Sequence, residues 1–115
     1  MLMGLLLVAG VYGVLTYNAY KSSLKPVREA VYMRAGKKNK LRVHDYIFQI
    51  EDIVKFKVRR EMVNKGVITP DILSTIIDNA VLLSTGVESD KSFSFTDETA
   101  SNISKVVLED YEINE

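Results

Sequence analysis

Residues 44–86 read HDYIFQIEDIVKFKVRREMVNKGVITPDILSTIIDNAVLLSTG, and this stretch decides the fold. Ile47, Ile50, Val54, Val58 and Met62 recur at helical spacing, and Tyr46 and Ile53 widen their stripe. Lys65-Gly66 ends that run, with Gly66 where a helix needs a residue at positive φ. Thr69-Pro70-Asp71 then opens a second helix. Threonine caps free backbone N–H groups, proline suits the first helical position, and aspartate favours the positive helix end. Ile72, Leu73, Ile76, Ile77, Ala80, Val81 and Leu83 give the second helix a broad apolar face, and Gly86 stops it. Two helices joined by a short turn predict a hairpin and an all-α domain. Ile47, Ile50, Val54, Val58, Ile72, Ile76 and Ile77 are its expected core or partner face. Phe48, Phe56 and Val63 lie off that face, so the first helix has apolar side chains to cover on more than one side.

Upstream, KSSLKPVREAVYMRA (21–35) predicts another helix, with a fresh start near Pro26 because proline lacks a backbone donor. Gly36 closes it, and GKKNKLR (36–42) reads as a basic connector. Downstream, VESDKSFSF (87–95) reads as a polar loop or short strand in which Phe93 and Phe95 alternate with serines. Thr96-Asp97-Glu98 starts a last helix over about 97–110, with Ala100, Ile103, Val107 and Tyr111 on one stripe. Three to four bundled helices are therefore expected after residue 20.

The first twenty residues, MLMGLLLVAGVYGVLTYNAY, differ in kind from everything that follows. They carry no charge, and the first charged side chain is Lys21. As a helix, residues 2–20 would measure about 28 Å at 1.5 Å per residue. That length matches a hydrocarbon core of about 30 Å. A transmembrane anchor is the expected reading, with Tyr17 and Tyr20 at the interface. A cleaved signal peptide fits less well, because no Lys or Arg precedes residue 21 and Thr16-Tyr17-Asn18-Ala19 is a poor cleavage site. A helix buried in a protein assembly is the other alternative, since the strictly apolar run ends near Leu15. Ala9 and Gly13 share one helix face and, with Gly10, mark where another helix packs closely.

The segments divide as 1–20 anchor, 21–43 basic juxtamembrane helix and connector, 44–86 hairpin, and 87–115 loop and acidic terminal helix. Formal net charge is zero, but its distribution is polarised. Residues 21–65 hold thirteen Lys/Arg against five acids, and residues 87–115 hold two lysines against eight acids. Such asymmetry speaks of surface partners rather than of fold. Lys21, Lys25, Arg34, Lys37, Lys38, Lys40 and Arg42 are the expected contacts to anionic lipid headgroups. The same excess places the C-terminal domain on the cytoplasmic side and the N-terminus outside. Acids at the end of the last helix oppose its dipole, so that end needs cations from the 34–60 region of this chain or a neighbour.

Chemistry is sparse. The chain has no cysteine and one histidine, His44, with Phe48 where a second metal ligand on the same helix face would stand. No phosphate-cradling glycine motif occurs. The second hairpin helix has no Lys or Arg for reading bases, which makes nucleic acid an unlikely partner. No enzyme, cofactor, metal or small-molecule substrate is inferred. The expected role is a non-catalytic subunit or scaffold of a membrane-associated assembly, bound to lipid and to other subunits or copies of itself. A membrane-permeabilising, holin-like protein and a virion or soluble-assembly component are the alternatives.

Overall fold

The computed structural model describes residues 24–114, with side chains as far as Asp110. The anchor expected over 1–20, with Ala9, Gly10 and Gly13, lies outside the described residues, as does Lys21. Among the described residues the fold is all-α: α1 (Lys25–Ala35), a 3-10 turn (Lys37–Asn39), α2 (Lys40–Asp45), α3 (Ile47–Lys65), α4 (Pro70–Thr85) and α5 (Asp97–Asn114). None of these helices is long and apolar enough to cross a membrane.

The punctuation residues act as their chemistry predicts. Pro26 sits in the first turn of α1, where its missing N–H costs nothing. Thr69 caps α4 by accepting from the Ile72 N–H at 3.2 Å. Gly66 (φ 76°) and Gly86 (φ 75°) end α3 and α4 in left-handed caps that donate back to the Met62 and Leu82 carbonyls. Thr96 opens α5 by accepting from the Thr99 N–H.

Two stretches depart from the expected pattern. The run from His44 to Asn64 is not one helix. It breaks at Tyr46 (φ −120°, ψ 17°), and the preceding residues form α2 instead of an irregular connector. The bend lets α2 pack against α1 and α4 as well as α3. Val43 is buried there, and Arg42 reaches the Thr85 carbonyl at 3.5 Å. Residues 87–96 form an adherent loop in which Phe93 and Phe95 meet edge to face at 5.1 Å and Phe95 is buried.

The core follows the stripes. Val27, Ala30 and Val31 of α1, Ile50, Val54 and Val58 of α3, Leu73, Ile77, Ala80 and Val81 of α4, and Ile103 and Val107 of α5 are all closed to solvent. Ile47 and Ile76 are nearly so, and Ile72 is half-buried. Side chains of this size each contribute about 1.5–3 kcal/mol on burial. α3 and α4 form the expected hairpin, and α1 packs against α3, α4 and α5.

Gly36 is the tightest backbone position. It adopts φ 89°, ψ 158°, a conformation open essentially to glycine alone, and an added Cβ would stand 3.1 Å from the Asp90 Cβ. Gly36→Ala is expected to cost about 1–3 kcal/mol in chemical denaturation. Gly66→Ala meets open space and bears only the left-handed strain of about 1–2 kcal/mol, so it should be the milder variant. Equal losses at the two positions would dismiss the contact with Asp90.

Candidate functional site

Three sets of charged side chains tie the helices together. Arg28 of α1 donates to Glu51 of α3 at 2.5 Å, and Glu51 is almost wholly buried. Arg34 at the end of α1 forks onto both Asp78 oxygens in α4 at 2.8 Å each, and also donates to the Phe93 carbonyl. Lys55 and Arg59 of α3 reach the buried Asp110 carboxylate of α5, each at 3.3 Å. This last contact brings cations from the 34–60 region to one acid of the α5 end, Asp110.

Arg34 therefore does not belong with the headgroup contacts. It is 7% exposed, and its hydrogen bonds to Asp78 raise its pKa against the opposing effect of burial. Spacing alone grouped it with solvated lysines. A bidentate partner 44 positions away in sequence draws it inward.

The remaining cations of that group are on the surface. Lys25 is exposed and stands 3.9 Å from Glu29. Lys37, Lys38, Lys40 and Arg42 are exposed on the 3-10 turn and α2. Lys37, Lys38 and Lys40 form one wall of an open cleft, and Glu88, Ser89, Asp90 and Ser92 form the other. Tyr32, Met33 and Phe93 contribute its apolar lining. Asn39 pins the two walls together by donating to the Ala35 and Glu88 carbonyls, both at 2.9 Å. The Ser92 hydroxyl and backbone N–H both donate to Asp90, which holds its carboxyl below the usual range. Glu88 and Asp90 thus line the same cleft as the lysines.

His44 is exposed at the end of α2, and its Nδ1 lies 2.8 Å from the Tyr32 hydroxyl. The rings stack at 6.4 Å. Burial, the largest influence, raises the Tyr32 pKa. Among the described residues, no three His, Cys, Asp or Glu side chains gather as a metal site.

The expected core or partner face divides clearly. Ile47, Ile50, Val54, Val58, Ile76 and Ile77 are consumed by the bundle's own core. Surface available to a partner lies elsewhere. One part is the groove between α3 and α4, floored by the half-buried Ile53 and Ile72, edged by Lys57, Glu61, Lys65 and Asp71, and reaching Leu83. The other is the outer side of α3 and the hairpin tip, where Phe56 (60%), Val63 (84%) and Val67 (56%) are exposed. Phe56 and Val63 already stood off the main stripe in the sequence. The exposure of Leu41 and Val67 had no such signal, and Leu83, placed by its spacing on the broad apolar face of α4, is 73% exposed.

Comparison with known protein families, curated proteins and solved structures found no match.

Proposed function

We propose that this chain is a small non-catalytic subunit or scaffold of a membrane-associated assembly. The observation that carries the reading is the uncharged tract Met1–Tyr20, directly followed by a basic segment. A lipid bilayer accommodates an uncharged helix of that length, whose backbone groups are satisfied within the helix. Residues 1–20 then act as a single-pass anchor, with the N-terminus outside and the bundle on the cytoplasmic side. Ala9, Gly10 and Gly13 form the face on which a second membrane helix packs. The bundle supplies the partner surface. Its buried charges are taken up by ties between helices, and its exposed apolar side chains flank the α3–α4 groove.

The test is extraction of the native protein. It should remain with membranes through an alkaline carbonate wash and, in mild detergent, co-migrate with a defined set of other chains. Release by carbonate would remove the anchor. A ring or ladder of this chain alone would instead favour the permeabilising alternative, which a sudden loss of membrane potential on induced expression would establish. The double variant Ala9→Leu/Gly13→Leu is expected to stay in the membrane but shed its partners on native gels. Unchanged complexes would show that this face does not carry assembly.

A further inference from the structure

The bundle has two ends, and they differ in their relation to the N-terminal tract. The C-terminal end of α1 lies at the loop end, where Arg34 meets Asp78 and Phe93 and its carbonyl accepts from the Asp90 N–H at 2.9 Å. Six residues earlier, Arg28 is level with Glu51 of α3. Pro26, near the start of α1, borders a groove with Val106 and Glu109 of α5, and the next residue of α5, Asp110, rests on Lys55 and Arg59. The chain therefore enters the bundle at the buried Leu24, about level with Lys55. From there α1 runs away toward the 37–46 turn for eleven residues, about 16 Å. α3 runs the other way from Lys55, toward the hairpin tip, for about 15 Å.

We infer that the hairpin tip, with Val63 and Val67 beside Arg60 and Lys65, rests on an anionic lipid surface, while the 37–42 turn points away from it. This rests on the anchor reading of residues 1–20. Four Cα steps separate Tyr20 from Leu24, and at about 3.5 Å each they hold the entry point within roughly 14 Å of the tract's end. With α1 continuing the tract's course into the bundle, the tip lies on the bilayer side of that entry point and the lysine turn at the far end of α1. The surface chemistry agrees. Val63 and Val67 are exposed apolar side chains, and Arg60 and Lys65 are exposed cations on the same part of the hairpin. Apolar side chains reach the acyl boundary while neighbouring cations meet headgroup phosphates. Two acids stand nearby: Glu61, 3.4 Å from Lys65, and Asp71 in the first turn of α4. At the opposite end, the lysines face Glu88 and Asp90 across the cleft. The headgroup role thus passes from Lys37, Lys38, Lys40 and Arg42 to the tip.

The chain has no tryptophan, so one introduced indole reports a single place. Val63→Trp and Leu41→Trp are suitable, because these side chains are 84% and 82% exposed and the core is untouched. Each full-length variant is reconstituted in vesicles of phosphatidylcholine and phosphatidylglycerol, with and without acyl-chain bromination, and floated on a density gradient. The expected result is blue-shifted emission, quenched by brominated lipid, for Val63→Trp, and red, unquenched emission for Leu41→Trp. The inference is overturned if Leu41→Trp is quenched, with or without Val63→Trp, or if neither is quenched although both proteins float. A blue-shifted but unquenched Val63→Trp also overturns it, and assigns the tip to a protein partner. Failure of both proteins to float removes the anchor reading and this inference with it.

Discussion

Asp78→Ala is expected to destabilise the protein by about 3–5 kcal/mol, the usual consequence of stranding one member of a buried ion pair. The Arg34 side chain is 9% exposed and that of Asp78 is 22% exposed, so little water is at hand to replace the lost carboxylate. The guanidinium has no neutral form available at ordinary pH. Domains of this size have about 5–15 kcal/mol of total stability, so the variant should sit near the edge of folding. Arg34→Met should cost less, because it removes the charge that is hardest to bury and leaves only the better-solvated Asp78 without its partner. The double variant Arg34→Met/Asp78→Leu should recover part of the loss, since apolar replacements of buried pairs are often neutral. Urea denaturation of the four proteins gives the coupling directly. If Asp78→Ala unfolds within about 0.5 kcal/mol of the parent, the fork between α1 and α4 does not hold the bundle.

The second large effect belongs to α4. Ile77→Ala should cost about 2–5 kcal/mol, the range for trimming a fully buried aliphatic side chain to leave a cavity. Ile77 is closed to solvent between the hairpin and the helices packed on it, whereas Leu83, six residues on, is 73% exposed. Leu83→Ala should therefore stay within about 0.5 kcal/mol in the isolated protein. Both residues belong to the same broad apolar face in the sequence, and the pair separates core from surface. Comparable losses at the two positions would mean that Leu83 is covered in the free protein. A loss of partner binding by Leu83→Ala at unchanged stability would place the partner on the α3–α4 groove.

The helix ends were the most legible part of the chain. Gly36, Gly66, Thr69-Pro70 and Gly86 act through their own backbone chemistry, which neighbours in space barely alter. The hairpin stripe was legible for the same reason: Ile50, Val54 and Val58 recur at the period of a helix whatever packs against them. The break at Tyr46 was not, because a continuous helix would carry the same apolar spacing through Val43 and Ile47. Packing of α2 on α1 and α4 decided it. Among the residues expected to meet lipid headgroups, Lys37, Lys38, Lys40 and Arg42 are exposed. Arg34 was misgrouped, since its partner Asp78 lies on α4, with α2 and α3 between them along the chain.

Local chemistry written in the sequence determined the all-α class, the hairpin, its caps and the polarity of charge along the chain. These depend on periodicity and on the φ preferences and hydrogen-bonding capacity of single residues. Tertiary structure decided which charges are neutralised and which apolar side chains remain in water. Arg28, Arg34, Lys55 and Arg59 look like Lys57 and Arg60 in the sequence, yet the first four meet carboxylates on other helices. Ile77 and Leu83 share a stripe, yet one lies in the core and the other on the surface. Pairing and burial are relations between distant segments, and only the arrangement of the helices in space fixes them.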